Sequence, residues 1–427
     1  MYDYQILQQT ASRFLTSCTF NNGWKFLLDL AVLLYGISKK RISIDTLSME
    51  EYAPVARQIW QKDIKLSQLN YPFAMPFTDL DRHSMAKIRS FLGFLQNNYT
   101  DTAKATAVAF NSMLAYMKRA KIIQDFVTPV SLADMMAQML SPQRGENILD
   151  PTCGSGGLLI AALAENEAIT VTGLDQKETI LAIAFFNLFL NSCTNAAFIH
   201  QDFFSYPSTD NALLYDVILS NPPYKDSALS TMEFVRGIVQ TLKPGGRCGI
   251  LVPEGFLTHT ASREVVHTRQ WLLLENSVQA VVSLPMKIYK PYTVSNSSLI
   301  ILKNEKPALR HKVFFSRLPE FAGTDAEWSD AVYIPDMQQI VSAWKRFAAR
   351  GYNQSDFNNG LFWTADIPAI QAKEYILASD GYRYSKYFAP KKELEEIRRG
   401  ILKKQIELND ILNGIFQEGE SYAGRTN

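Results

Sequence analysis

The strongest constraint on the fold is an alternation of short β-type runs with helix-length runs between residues 125 and 305. The candidate strands are apolar and rich in β-branched residues: Asn147–Leu149, Ile169–Leu174, Ala197–His200, Asp216–Leu219, Cys248–Val252, Val278–Ser283 and Ser298–Leu302. Apolar segments of helical length, such as Lys177–Leu190 and Glu233–Leu242, lie between most of them. This alternation predicts a mostly parallel sheet with helices on both faces. The last two strands are joined without an obvious helix, so we expect the final strand to be antiparallel.

The regions on either side of this α/β segment show different patterns. Residues 1–122 carry apolar residues at helical spacing, which predicts an N-terminal helical domain. We therefore predict a central domain over 123–310 and a C-terminal region over 311–427. That last region ends in a heptad pattern at 391–416, which predicts a helix that packs either on this protein's own core or against a partner helix.

Composition excludes several classes of protein. The 43 Lys and Arg residues nearly balance the 42 Asp and Glu residues, so any contact with nucleic acid must be local or shared with a partner. The 4 Cys form no CxxC pair and the 5 His form no cluster with ligand spacing, so we expect neither disulfides nor a metal. The apolar run Trp24–Ile37 holds Lys25 and Asp29, so it predicts a buried helix rather than a membrane span. These features favour a cytoplasmic protein that does not associate with a membrane.

The first chemical motif is a strand that runs into a glycine-rich turn and then a helix. Its informative residues are Asp150, Cys153, Gly154 and Gly156. Glycines let the backbone approach a ligand closely, and the carboxyl end of a strand is where open α/β sheets bind ligands. The turn has neither the Lys-Ser/Thr of a phosphate loop nor the spacing of a dinucleotide fold. A tight turn that merely requires small residues is the structural alternative.

Two acidic residues follow the next two predicted strands. Asp175 closes the second strand and could accept both hydroxyls of a ribose. Asp202 follows the third strand and could hydrogen-bond an adenine amino group. Each could instead cap a helix N-terminus.

The sharpest signal is the segment Asn221-Pro222-Pro223-Tyr224 at the end of the fourth predicted strand. The two prolines fix the backbone and remove two donors. The side-chain oxygen of Asn221 and the carbonyl of Pro222 then form a rigid pair of acceptors, which suits the two N–H groups of an exocyclic amine. Tyr224 offers a flat face for stacking a base outside its duplex.

Together, Asp150-Pro151-x-Cys153-Gly154-x-Gly156 and Asn221-Pro222-Pro223-Tyr224 resemble the signature of S-adenosylmethionine-dependent DNA adenine-N6 methyltransferases. The segment Phe126-Val127-Thr128-Pro129 is also similar to this family. Further segments, from Trp271 to Thr293 and at Gly381-Tyr382-Arg383-Tyr384, resemble the methylation subunit of type I restriction–modification systems.

The resemblance implies a class I S-adenosylmethionine-dependent methyltransferase fold. Its sheet would have seven mostly parallel strands with the last antiparallel, flanked by an N-terminal helical domain and a C-terminal helical tail. It also implies double-stranded DNA as substrate and a specificity subunit as partner, with two methylation subunits per specificity subunit, and leaves a restriction subunit open. The methyl group would pass directly from the sulfonium to N6 of adenine, without a covalent enzyme intermediate.

The resemblance also assigns roles to individual residues. Catalysis falls to Asn221, Pro222 and Tyr224. Binding of S-adenosylmethionine falls to Phe126, Thr128, Asp150, Cys153, Gly154, Gly156, Asp175 and Asp202.

Three other functions remain open from the sequence. A stand-alone adenine methyltransferase would place DNA recognition within residues 306–427. A protein glutamine-N5 methyltransferase would use the same Asn-Pro-Pro-Tyr turn on an amide nitrogen. An inactive scaffold of a DNA-binding assembly would keep the fold without the reaction.

Overall fold

The computed structural model describes residues 4–18, 23–39, 82–120, 122, 128–193, 195–206, 214–223, 228–290, 296–321, 323, 330–350, 362–382 and 403–404. The chain divides into two compact units, 1–379 and 380–427. The second unit is described only at residues 380–382 and 403–404. The heptad pattern predicted at 391–416 therefore lies almost entirely outside the described residues.

The N-terminal region is helical, as its apolar spacing predicts. Its helices are α1 (Tyr4–Ser17), α2 (Gly23–Ser38), α3 (Arg82–Asn98) and α4 (Thr102–Arg119). The side chains of α2 are buried from Phe26 to Ile37, and Phe14 of α1 stacks on Phe91 of α3 with ring centroids 4.7 Å apart. None of the described helices is both long enough and apolar enough to cross a membrane.

The described residues of the first unit form a nine-stranded sheet in the order β3-β2-β1-β4-β5-β7-β6-β8-β9. The strands are β1 (Asn147–Asp150), β2 (Thr170–Asp175), β3 (Ala196–His200), β4 (Tyr215–Ser220), β5 (Leu242–Pro253), β6 (Ser277–Ser283), β7 (Ser297–Lys303), β8 (Lys312–Arg317) and β9 (Phe362–Asp366). Strands β1 to β5 pair in parallel, whereas β7 runs antiparallel between β5 and β6.

This strand order, with a reversed β7 inserted between β5 and β6, confirms the predicted class I methyltransferase fold. Beyond the predicted seven strands, β8 pairs in parallel with β6, and β9 pairs antiparallel with β8. Within the extension, Phe314 of β8 packs against Trp344, with ring centroids 5.7 Å apart, and both side chains belong to the same hydrophobic core as the central strands. The single sheet thus continues past residue 310, where we placed the end of the central domain.

Helices cover both faces of the sheet, as predicted for parallel strands. They are α5 (Val130–Leu140), α6 (Gly157–Glu165), α7 (Glu178–Leu190), α8 (Ala228–Thr241), α9 (Glu254–Thr258), α10 (Arg263–Leu274), α11 (Ile334–Arg350) and α12 (Ile367–Gln371). The central strand β4 is buried along most of its length, which is typical of a parallel strand covered on both faces. Its carboxyl end lies beside that of β1, and the two sequence motifs therefore meet at one edge of the sheet.

Candidate active site

The glycine-rich turn connects β1 to α6, and two of its glycines are required for different reasons. Gly156 has φ 82°, and a Cβ atom there would lie 2.5 Å from Cδ1 of Leu188 on α7. Gly154 has φ 52°, but a Cβ atom there would meet nothing within 4 Å. Gly156 is thus required because the turn packs closely against α7. Gly154 is required only for its left-handed backbone conformation, since no atom lies near the position of a Cβ.

Asp175, at the end of β2, is fixed against this turn. Its Oδ2 accepts a hydrogen bond from the Gly154 amide at 3.1 Å, and its Oδ1 accepts one from the Lys177 amide at 2.9 Å. Its orientation is therefore set before any ligand arrives. Asp175 also lines the cavity described below, where a ligand's hydroxyl groups could reach it.

Asp150 and Cys153 lie behind the turn rather than on its open side. Asp150 is 1% exposed, and its Oδ1 accepts a hydrogen bond from the Thr152 amide at 3.1 Å. Burial, reinforced by the charge of Asp175, raises the pKa of Asp150 to about 8. Burial and the nearby carboxylates also raise the pKa of the Cys153 thiol, which keeps it protonated. Cys153 therefore packs the turn against β2 and is unsuited to act as a nucleophile.

The Asn-Pro-Pro turn follows β4 directly. The side-chain nitrogen of Asn221 donates to Oγ1 of Thr128 at 3.1 Å, and the Thr152 hydroxyl donates to the Asn221 carbonyl at 3.4 Å. Because the amide nitrogen faces Thr128, the amide oxygen Oδ1 is turned away from that hydroxyl and can serve as an acceptor. Thr152 also belongs to the glycine-rich turn, so it links the two motifs.

A cavity of about 440 Å³ joins the two turns. Five of the sequence-predicted residues line it: Gly154, Asp175, Asp202, Asn221 and Pro222. Three others, Asp150, Cys153 and Gly156, support the turn from behind, and Thr128 reaches the site through Asn221. The predicted residues Phe126 and Tyr224 lie outside the described residues.

An apolar wall of the cavity was not predicted from the sequence. It consists of Leu174, Ile180, Phe203, Phe204 and Phe234. Phe234 of α8 lies 4.7 Å from Phe203 and 5.6 Å from Phe204, measured between ring centroids. The position of Phe203 and Phe204 directly after Asp202 could have indicated two of these residues. No local signal marks Phe234, because its approach to Phe203 and Phe204 depends on how α8 packs.

The chemistry of this cavity suits a nucleoside. Two carboxylates, Asp175 and Asp202, can accept hydrogen bonds from hydroxyl or amino groups, and the aromatic wall can contact a flat base. The cavity volume lies in the range usual for sites that enclose a small molecule or cofactor. Within the described ranges, no cluster of three His, Cys, Asp or Glu side chains could hold a metal ion.

The strand order of the sheet, with the cavity at the carboxyl ends of its parallel strands, is that of the S-adenosylmethionine-dependent methyltransferase fold. The model of the N-6 DNA methylase family matches residues 109–393, and the chain belongs to that family.

The chain is also similar to three other proteins. It is 22% identical over 302 residues to the methylase subunit of the type I restriction enzyme EcoEI from Escherichia coli, which covers 63% of this chain and 60% of that subunit. It is 37% identical to a release factor glutamine methyltransferase from Fusobacterium nucleatum, over 107 residues that make up 25% of this chain and 30% of that enzyme. A chain solved in a study of the assembly and conformational transition of the type I R-M system has the same fold, with 17% identity, a TM-score of 0.68 and 98% of both chains covered.

Proposed function

We propose that the protein is a site-specific DNA methyltransferase that transfers a methyl group from S-adenosylmethionine to N6 of adenine, as the modification subunit of a type I restriction–modification complex. One observation carries the proposal. The acceptor pair of Asn221 and Pro222 borders the same cavity as the glycine-rich turn and Asp175. Membership of the N-6 DNA methylase family supports it. The E. coli relative extends the proposal to the type I system, although the chain spans only 60% of that subunit's length.

The residues of the cavity fit S-adenosylmethionine. Asp175 is oriented to accept the ribose hydroxyls, and Asp202 lies beside the aromatic wall where it can accept from the adenine amino group. Gly154 leaves the backbone open on the same side. When bound, this cofactor supplies an electrophilic methyl group on a sulfonium. Phe126 and Thr128 are proposed to border its methionine part.

Asn221 and Pro222 would hold the target amine. The Asn221 Oδ1 and the Pro222 carbonyl each accept one of its N–H groups, which turns the nitrogen lone pair toward the methyl group. The glycine-rich turn and Asp175 would hold the cofactor so that it could supply its methyl group to this nitrogen, and the proton that the nitrogen loses would pass to solvent. Tyr224 is proposed to stack on the extruded base. No side chain needs to form a covalent intermediate, because orientation supplies most of the rate enhancement.

Sequence recognition is proposed to belong to a specificity subunit. The net charge of +1 favours DNA contacts shared with a partner. The heptad pattern at 391–416, almost all of it outside the described residues, is proposed to provide a helix for that partner, with two methylation subunits for one specificity subunit.

The test is N6-methyladenine formation on unmodified double-stranded DNA, measured by mass spectrometry. The purified chain is incubated with S-adenosylmethionine, alone and with a candidate specificity subunit encoded nearby. Methylation that requires the partner supports the type I assignment. Methylation by the chain alone would instead place recognition within residues 306–427, and the absence of methylation in both mixtures would overturn the DNA methyltransferase proposal.

A second candidate is a protein glutamine-N5 methyltransferase. The 37% identity to a release factor glutamine methyltransferase favours it, but that similarity covers only 107 residues. The family match, in contrast, extends from residue 109 to residue 393. A parallel reaction with a glutamine-bearing release factor as acceptor separates the two, since only the glutamine enzyme would label protein rather than DNA.

A further inference from the structure

Helix α7 contains one buried polar side chain that the proposed reaction does not use. Its sequence is otherwise strongly apolar after the first turn, yet Asn187 lies in its interior and is 2% exposed. The Asn187 Nδ2 donates to the carbonyl of Ser155 in the glycine-rich turn at 2.7 Å. A buried amide is costly unless it is hydrogen-bonded, so this contact accounts for an asparagine at a core position.

The hydrogen bonds continue from Asn187 to the N-terminal helices. The Nδ2 of Asn191 lies 3.2 Å from Oδ1 of Asn187 and 2.7 Å from its carbonyl. Asn191 also forms a reciprocal amide pair with Asn111 of α4, at 3.1 and 3.4 Å. We call Asn111, Asn191 and Asn187 the asparagine network. It connects an exposed position on α4 to the backbone of the glycine-rich turn.

The contact at Ser155 controls the orientation of one peptide group. The Ser155 carbonyl and the Gly156 amide belong to the same planar peptide. Asn187 binds the carbonyl, while the Gly156 amide donates to the Cys153 carbonyl at 2.8 Å. Fixing both ends of this peptide sets the path of the backbone between Cys153 and α6, and hence the position of Gly154 at the cavity.

The N-terminal helices also contact α7 through aromatic side chains. Tyr35 of α2 lies 5.8 Å from Phe186 and 6.4 Å from Phe189, measured between ring centroids. Such apolar contacts stabilise the packing of the helices but impose little direction on the turn. Hydrogen bonds are directional, so the asparagine network is better suited to transmit a small shift of α4 to the turn.

We propose that the asparagine network is a positioning device through which the N-terminal helical region sets the affinity of the glycine-rich turn for S-adenosylmethionine. Asn187 is then a positioning residue, because it acts on the ligand through Ser155. The inference rests on the proposed function, in which this turn binds the cofactor. It gives the N-terminal helices a role in the cofactor step as well as any role in binding DNA or a partner.

The experiment is a double-mutant cycle on the full chain, read out as the calorimetric Kd for S-adenosylmethionine. Asn187→Ala leaves the buried Ser155 carbonyl without its donor, and we expect about tenfold weaker binding, equal to about 1.4 kcal/mol. Asn111→Ala, at an exposed position, should weaken binding about threefold. In the Asn187→Ala background, Asn111→Ala should have no further effect, because the network is already broken.

Ser112→Ala is the matched control for Asn111→Ala. Ser112 is the next residue on α4, and its hydroxyl donates to the Val108 carbonyl of its own helix at 2.7 Å. This variant should bind S-adenosylmethionine as the wild type does. Hydrogen exchange at the amides of residues 154–157 should be faster in Asn187→Ala and in Asn111→Ala, but not in Ser112→Ala.

The possible results are distinguishable. A wild-type protein that does not bind S-adenosylmethionine overturns the proposed function itself. A wild type that binds, with Asn111→Ala at the same affinity, overturns the network, and so do additive effects in the double variant. Asn111→Ala changes an exposed side chain, so the test does not depend on the folding of Asn187→Ala.

Discussion

The glycine-rich turn and the Asn-Pro-Pro turn follow adjacent parallel strands, but they are held in place in different ways. The first turn is fixed from behind by tertiary contacts: Gly156 lies against α7, and the Gly154 amide binds Asp175. The second turn is stiffened by its own two prolines, and hydroxyl groups of Thr128 and Thr152 bind Asn221.

This difference determines where a substitution should act. A change at Gly156 in the glycine-rich turn alters packed neighbours, so it should lower the free energy of unfolding as well as affinity. A change at Asn221 removes an acceptor from a turn whose backbone the prolines already fix. It should therefore impair the reaction while leaving folding and cofactor binding nearly intact.

The largest expected effect is that of Asn221→Ala on methyl transfer. Loss of one group that orients and stabilises the reacting atoms typically reduces a rate by about 100- to 1000-fold. We expect at least a hundredfold fall in the rate of N6-methyladenine formation, measured by mass spectrometry, with an unchanged calorimetric Kd for S-adenosylmethionine. Asn221→Asp keeps an acceptor oxygen and should retain more activity than the alanine variant. If Asn221→Ala transferred methyl groups at the wild-type rate, a catalytic role for Asn221 would be excluded.

Gly156→Ala tests whether the glycine-rich turn depends on its packing against α7. An added Cβ would lie 2.5 Å from Leu188 Cδ1 on a backbone with φ 82°, so we expect about 2–3 kcal/mol of destabilisation from overpacking and strain. Urea unfolding measures this loss.

Gly157→Ala is the matched control for Gly156→Ala. A Cβ there meets nothing within 4 Å, and Gly157 is the first residue of α6. Replacing a helical glycine by alanine should be neutral or stabilising by up to about 1 kcal/mol. Equal midpoints for the two variants would show that close packing against α7 does not fix the turn.

Sequence patterns predicted the individual strands far better than the contacts between segments that are distant in the sequence. Each of the seven predicted strands is present, because apolar β-type runs bounded by polar residues carry a strong local signal. β5 begins at Leu242 rather than Cys248, since Leu242 pairs with Tyr215 ahead of a register shift. The extension by β8 and β9 and the approach of Phe234 to the cavity depend on segments far apart in the chain. No local pattern contains that information.

The predicted site shows the same division. The motifs brought Gly154, Asp175, Asp202, Asn221 and Pro222 to one cavity, because the carboxyl ends of parallel strands share an edge. The sequence did not reveal that Asp150 and Cys153 support the turn from behind. Burial behind a turn depends on which helices cover it, and that is decided by tertiary packing.

Asp150→Asn tests whether the buried carboxyl group behind the glycine-rich turn makes the free energy of unfolding depend on pH. The ordinary carboxyl pKa of 3.8 rises to about 8 in the folded protein, so between these values the folded state holds a proton that the unfolded chain has lost. The contribution of Asp150 to the free energy of unfolding is therefore fully present below about pH 4. It is lost as the pH rises toward 8, by up to about 1.4 kcal/mol per pH unit.

The asparagine variant cannot ionise, yet it can still accept from the Thr152 amide. Its free energy of unfolding, measured with urea from pH 5 to 8, should fall less steeply than that of the wild type. Parallel curves for the two proteins would mean that Asp150 is ionised in the folded turn.

The smallest effect separates the two roles open to Thr128. Thr128→Val removes the hydroxyl that binds the Asn221 amide nitrogen but keeps the shape of the side chain. If Thr128 orients Asn221, kcat should fall about fivefold, the equivalent of about 1 kcal/mol for one neutral hydrogen bond, with no change in the Kd for S-adenosylmethionine. Thr128→Ser, which keeps the hydroxyl, should restore most of that rate. If Thr128 instead contacts the methionine part of the cofactor, the Kd for S-adenosylmethionine should rise. The orientation of Asn221 would then depend on Pro222, Pro223 and Thr152.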